Sequence, residues 1–490
     1  MSKHLRNFSY FMLFNSIEFL IFLPIVFLLY WFVFKKRHWQ NLLIVIASYT
    51  FYGWWDWRFL ILIALTSLCS FGSGLLISRY EGKRNKQKII SASNIVINLL
   101  ILGIFKYYNF FVDNLEILFS SLGYQLDWIT LEIILPVGIS FYTFQALSYT
   151  IDVYQRKIKP TSDIIEFFAY ISFFPQLVAG PIERATNLLP QFQKPRIFDY
   201  TQSVDGCRQM LWGFFKKLVI ADNCATIVNA NWEHYQNLPG ITLFILGVLF
   251  TFQIYCDFSG YSDIAIGCAR LFGFNLMCNF NFPYFSRSIP EFWRRWHISL
   301  TTWFRDYIYF PLGGSRCSKQ KTIRNVFIVW GISGLWHGAN WTFIVWGLYH
   351  ATLLAIYNIL GVNTKYKHVV ANGRLFPNIK EIMQLTITFL LAVIGWIIFR
   401  ANSMTQAIDY ISSMFTNLSF NSHQLYGKTI SYCLILLFIE WMQRDKQHAL
   451  QFPNKRLFNY RFIRWTIYYS LILSIMIFGG KSQTFIYFQF

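Results

Sequence analysis

An all-α polytopic membrane protein, with about eleven to thirteen transmembrane or re-entrant helices, is the fold class this sequence predicts. Three observations carry it. Apolar runs of roughly 17–25 residues, long enough to cross a hydrocarbon core, recur from end to end. Only 13% of residues are charged against 55% hydrophobic, whereas a soluble domain is about a quarter charged. The charges are also sorted. Of 43 Lys and Arg, 36 fall on the connections 35–37, 79–88, 156–159, 184–217, 270–324, 365–380 and 444–464. These connections share one side of the membrane when the runs between them are counted as crossings. Connections 112–130 and 230–240 carry acids and no Lys or Arg. That is the positive-inside asymmetry. The net charge of +20 therefore describes topology and argues against a nucleic-acid partner.

The first run, Phe14–Phe34, is too long for a signal-peptide core and lacks a small-residue cleavage site, so it is expected as a retained span. The residues before Met12 bear no motif and read as a start-site extension. Pairs of spans follow near 40–56 and 59–78, then near 89–111 and 131–153. Residues 167–182 break the pattern, because Pro175 and Gly180-Pro181 interrupt an apolar stretch flanked on both sides by basic sequence. Either a broken, re-entrant element or an interfacial helix satisfies that arrangement. Spans are expected near 209–230 and 241–272, then near 324–339, 341–360, 381–400, 429–443 and 463–480. About twelve crossings put both termini outside the cell. The inner region 273–325 mixes basic residues with Trp293, Trp296, Trp303, Tyr307 and Tyr309, the composition of amphipathic helices that lie in the interface or dip into the protein. Eight cysteines without a CxxC pair or an outer-side cluster read as free apolar fillers, with no metal site expected.

Four constellations are candidates for chemistry. His337, in GLWHGANW, lies in an apolar run between Gly334 and Gly338. A neutral imidazole costs far less than a fixed charge at depth and could take the proton from an incoming hydroxyl. A buried histidine bonded to a neighbouring carbonyl would have the same pattern. His297, in WRRWHISLTTWFRDY, follows Arg294 and Arg295 and precedes Arg305-Asp306. Those arginines suit the phosphates of a donor or, alternatively, the head groups of anionic membrane lipids. Asp257 and Asp263, in one predicted span, lie six residues apart and do not share a helical face. They are functional, or paired with Arg294, Arg295 or Arg305. Tyr487, in the terminal peptide FIYFQF, is an aromatic anchor or a phenol that accepts a group once a base activates it.

The segments WRRWHISLTTWFRDYIYFPLGG, GLWHGANWTFIVWGLYHA, PVGISFYTFQALSYTIDVY and FPQLVAGPI resemble the membrane-bound O-acyltransferases. The bacterial branch that acetylates alginate or peptidoglycan is the most similar, and the D-alanyl transferases of teichoic acids are more distant. The resemblance implies one integral-membrane domain over 1–490, with a family core of about 100–400 and C-terminal spans plus tail over 401–490. It implies a ring of helices around a central pore. It also implies His337 and His297 as catalytic, Tyr487 as a brief acyl carrier, and Trp336 and Asn340, with Asp257 and Asp263, as structural or pore-lining. The activity so implied is transfer of an acyl group, expected to be acetyl, from cytoplasmic acetyl-CoA toward an extracytoplasmic polysaccharide in the bacterial inner membrane. Arg294, Arg295 and Arg305 would hold the donor, and no bound cofactor or metal is required. Short outer loops then call for an extracytoplasmic, SGNH-like partner protein. The competing readings are a D-alanyl transferase fed by a carrier protein, and a transporter or flippase. A transporter often shows two matching halves, and none is legible here.

Overall fold

The computed structural model describes residues 12–124, 133–178, 180–362, 366, 368–417, 419, 426–452, 458 and 460–486. Helices account for all the regular structure among the described residues. The chain divides into two compact units, residues 1–204 with 268–277, and residues 205–267 with 278–490.

In the first unit, α1 (Ile17–Leu28) begins where Ser16 Oγ accepts the Phe19 N–H at 3.3 Å. α2 (Arg37–Asp56) and α3 (Leu60–Arg79) form the expected pair. Asp56 is extended between them, and its carboxylate caps the Arg58 N–H at 3.0 Å. α4 (Arg84–Ser121) has 38 residues, about 57 Å at 1.5 Å per residue, so it is longer than any bilayer core requires. α5 (Ile139–Tyr154) starts eight residues later than the expected span. Pro136 precedes the turn, and Gly138 adopts φ 76°, a conformation that glycine enters without strain. A polar seam joins these helices. Asn94 Nδ2 of α4 donates to Thr150 Oγ1 of α5 at 2.7 Å and to Ser70 Oγ of α3 at 3.2 Å. Such bonds hold helices together where lipid removes the hydrophobic drive. A Cβ on Gly74 would overlap the Tyr149 ring, so only glycine permits that α3–α5 approach.

The interrupted stretch is a broken element. α6 (Ile164–Ser172), capped by Asp163, stops at Phe173, and one turn, α7 (Phe174–Leu177), follows with Pro175 in its first positions. α8 (Ala185–Gln193) completes the unit.

The second unit is organised around two helices that touch backbone to backbone. α9 (Tyr200–Phe215), from residue 205 onward, runs through a π-helical turn, Lys216–Ala221, into α10 (Asp222–Trp232). α11 (Gly240–Leu271) crosses it. A Cβ on Gly213 would lie 2.6 Å from the Gly260 carbonyl oxygen, and one on Gly260 would lie 2.8 Å from that of Gly213. Small residues thus bring the π turn onto α11. Lys216 Nζ reaches Asp263 Oδ2 at 2.6 Å, and Lys217 Nζ reaches Asp257 Oδ1 at 2.8 Å. The expectation that these aspartates pair with Arg294, Arg295 or Arg305 is corrected. Their partners are adjacent lysines, which the extra residue of the π turn aims at α11.

Within the inner region 273–325 two short α-helical segments dip into the protein, whereas Arg305–Tyr309 has no buried residue. α12 (Ile289–Arg295) and α13 (Ile298–Phe304) are short and largely buried. α14 (Lys319–His337) and α15 (Trp341–Ile359) then form a tight hairpin in which Gly334 and Gly347 face backbone. α16 (Ile379–Arg400), α17 (Met404–Thr416), α18 (Gly427–Met442) and α19 (Arg461–Phe478) complete the unit.

Six helical runs are long and apolar enough to cross a membrane: Arg37–Arg79, Arg84–Ser121, Gly240–Leu271, Trp341–Ile359, Ile379–Arg400 and Arg461–Phe478. Ile17–Val33 and Ile164–Leu177 are shorter apolar helices. Other expected crossings are helices of lesser length, such as the 16-residue α18, or carry charge, as α14 does at Lys319, Lys321 and Arg324. The protein is a multi-pass, all-α membrane protein.

Candidate active site

His297 stands between α12 and α13 in the left-handed conformation, φ 43° and ψ 53°. A non-glycine residue held there costs of order 1 kcal/mol or more, so its surroundings must fix it. They do so on both flanks. The Asn281 N–H donates to the Arg295 carbonyl and the Ile298 N–H to the Asn279 carbonyl, each at 2.9 Å. Asn279 also holds the ring, with its Oδ1 3.0 Å from His297 Nδ1. The same oxygen accepts the Ser299 backbone N–H at 3.4 Å. Because a backbone N–H can only donate, that oxygen is the acceptor, and the proton between Asn279 and His297 belongs to Nδ1. The basic lone pair of this imidazole is then on Nε2.

His337 ends α14, where Gly338 turns the chain in extended backbone at φ −172°. A Cβ on Gly338 would overlap the Phe343 ring, which explains the glycine after the histidine. Aromatic rings hold the imidazole edge to face: Trp336 at 4.9 Å, Trp346 at 4.9 Å and Phe399 at 5.2 Å between centroids. Trp336 is also 6.1 Å from the His297 ring, so one indole joins the two histidines. His297 is 1% exposed and His337 7%.

Both histidines open onto one cavity of about 50 Å³. Trp293, Trp296, Leu300 and Phe304 come from α12, α13 and the turn between them, and Trp330 and Ser333 from α14. Trp330, Ser333 and His337 follow the helical repeat of one face. That periodicity is the signal that could have found Trp330 and Ser333 from sequence. The walls are mostly aromatic and apolar, and a low-dielectric lining of that kind strengthens any charge interaction within. Asn279 has no such signal. It lies eighteen residues before His297 in an irregular loop, and it also borders a second cavity beside Lys216, Asp263, Tyr255 and Glu440.

The remaining sequence candidates separate. Asn340 caps α15, its Oδ1 accepting the Thr342 N–H at 3.0 Å, and its Nδ2 donates to the Asn402 carbonyl. Arg295 pairs with Glu291 at 3.0 Å and Arg305 with Asp306 at 2.7 Å, while Arg294 donates to the Tyr366 carbonyl at 2.9 Å. Tyr487 lies outside the described residues. Among the described residues, no group of three or more His, Cys, Asp or Glu could hold a metal ion.

Two histidines thus line one aromatic-walled cavity of a multi-pass helical protein, an arrangement suited to proton transfer. The protein's family is settled by comparison with known proteins. The model for MBOAT, the membrane-bound O-acyltransferase family, matches residues 44–397. The chain is 42% identical to the probable alginate O-acetylase AlgI of Pseudomonas aeruginosa, over 84% of this chain and 76% of that protein. It is 30% identical to the peptidoglycan O-acetyltransferase of Helicobacter pylori, over 98% of both. The teichoic acid D-alanyltransferase of Bacillus subtilis is 30% identical over 54% of this chain and 68% of that protein. This chain belongs to the membrane-bound O-acyltransferase family, in its bacterial alginate and peptidoglycan O-acetyltransferase-like branch, and is an O-acyltransferase.

Proposed function

We propose that the chain transfers an acetyl group from acetyl-CoA on the cytoplasmic side of the inner membrane toward O-acetylation of an extracytoplasmic polysaccharide. One observation carries the reading: His297 and His337 bound a single aromatic-walled cavity, with Trp336 in contact with both rings. One imidazole takes the proton from an acceptor hydroxyl as its oxygen attacks the thioester carbonyl. The C–O bond forms, the C–S bond breaks, and the thiolate leaves with the proton returned by the imidazolium. His337 is assigned the base. His297, held by Asn279 with Nε2 as its basic nitrogen, is assigned to the donor path. Tyr487 is proposed as the first acceptor, passing the group to a partner protein that modifies the sugar. Similarity to the Helicobacter pylori peptidoglycan O-acetyltransferase along nearly the whole chain supports acetyl as the group.

The partial similarity to the Bacillus subtilis teichoic acid D-alanyltransferase favours one rival donor, a carrier-bound D-alanyl thioester. The test is transfer by purified protein in vesicles from labelled acetyl-CoA and, separately, from a D-alanyl carrier. Consumption of acetyl-CoA that falls about 10²–10⁴-fold in His337→Ala is expected. Consumption of the D-alanyl carrier alone would replace the donor, and a fully active His337→Ala would remove that residue from the mechanism.

A further inference from the structure

The end of the described chain runs back into the second unit. Beyond α19 the Gly480 N–H donates to the Leu218 carbonyl at 2.9 Å, and Asn223 Nδ2 donates to the Phe478 carbonyl at 2.9 Å. A Cβ on Gly480 would lie 2.9 Å from Asn223 N, so a side chain there would push the peptide off the π turn and α10. Lys217 Nζ then donates to the Gln483 carbonyl at 3.1 Å, and Asp257 Oδ2 accepts the Ile486 N–H at 2.7 Å. Phe485 and Ile486 are each 1% exposed. The Phe485 ring packs 4.7 Å from Tyr261 and 6.1 Å from Phe258, and Phe258 is 4.7 Å from the His297 ring. A ladder of three rings therefore links the tail to the reaction centre.

Lys217 is paired twice, with Asp257 and with Asp222, each at 2.8 Å, and all three side chains are almost fully buried. Burying such a group is costly, and well-packed apolar residues often stabilise a fold at least as well. Intramembrane charge therefore calls for a task. Both charge-assisted hydrogen bonds to the tail end on main-chain atoms, the Gln483 carbonyl and the Ile486 N–H. Such bonds recognise where the chain lies, and they are indifferent to its side chains at those positions.

We propose that Lys217 and Asp257, with Asp222 orienting the lysine, form a socket that clamps the main chain of residues 480–486 and sets the register of the C-terminal peptide on the reaction centre. These are positioning residues. The proposal rests on the reading of Tyr487, the residue after clamped Ile486 in the sequence, as first acceptor. The socket fixes how far the chain extends, so register matters more than side-chain identity at 483 and 486.

The experiment uses the full chain in vesicles with acetyl-CoA. It compares Lys217→Met/Asp257→Asn with a one-glycine insertion between Gln483 and Thr484, which leaves every socket residue intact. Docking is read as disulfide cross-linking of a Tyr261→Cys/Phe485→Cys pair, and chemistry as acetyl transfer and acetyl-CoA KM. Both changes are expected to lower cross-linking and to cut transfer at least about tenfold through kcat, with KM unchanged. Ile486→Val is expected to keep both. Cross-linking that persists in the Lys217→Met/Asp257→Asn protein, or transfer that persists when cross-linking is lost, overturns the socket. Tyr487→Phe separates the two claims: full transfer with an intact cross-link overturns the relay, and with it the purpose assigned to the socket. Loss of transfer with an intact cross-link supports both.

Discussion

At the scale of single residues, the candidate site presents two imidazoles held by different means. His337 sits in an aromatic box, whereas His297 is held in a strained backbone conformation by Asn279. Asn279→Ala removes the acceptor for the ring N–H and for Ser299. A buried donor left without its bond costs about 1–3 kcal/mol, so thermal unfolding in detergent is expected to start at lower temperature. Activity should fall further than that loss explains, because Nδ1 no longer holds the proton by design of its neighbour. Activity and unfolding temperature measured together decide this, and an unchanged rate would dismiss Asn279 as a positioning residue. Both histidines were legible in the sequence, because a titratable group in an apolar run is expensive. Asn279 was not, since its role depends on a loop meeting the α12–α13 turn, and no local spacing encodes that.

At the scale of elements, close backbone contact between α9 and α11 places two lysines on two aspartates. Gly260→Ala puts a methyl group 2.8 Å from the Gly213 carbonyl and is expected to force the helices apart. The outcome should be a marked drop in detergent unfolding temperature, since overpacking costs about 1–3 kcal/mol. Gly103→Ala on α4 meets nothing within 4 Å. Replacing glycine in an open helical position stabilises by about 1 kcal/mol, so that variant should hold or raise the unfolding temperature. Equal effects from the two would refute the close-approach account. Apolar runs announced most helices, yet not the π turn. A π turn arises when one extra residue is accommodated against a neighbour, and composition does not record it. The arginine partners expected from sequence give way to Lys216 and Lys217 for that reason, since the π turn decides which cations meet the aspartates.

At the scale of the molecule, the exposed flanks are apolar in the way lipid requires. In α19 only Leu471 is buried, and Phe462, Met476 and Ile477 are strongly exposed. The sorting of Lys and Arg makes a directional claim. A cysteine introduced at Lys83, on the α3–α4 connection, is expected to react with an impermeant thiol reagent only from the cytoplasmic face. One at Ser121, at the far end of α4, should react only from outside. Labelling of both from one face would invalidate the assigned orientation.

Hydropathy by itself determined that this protein is helical and multi-pass, because lipid imposes its cost on each segment separately, and charge sorting supplied the orientation to be tested. Two histidines and a family likeness likewise pointed to acyl transfer. Only the tertiary structure decided which groups meet: Trp336 between the imidazoles, Asn279 on His297, and Lys217 on both Asp257 and the returning tail. Those contacts join residues up to hundreds of positions apart. They follow from steric approach at glycines and from buried charges seeking partners, which no single segment contains.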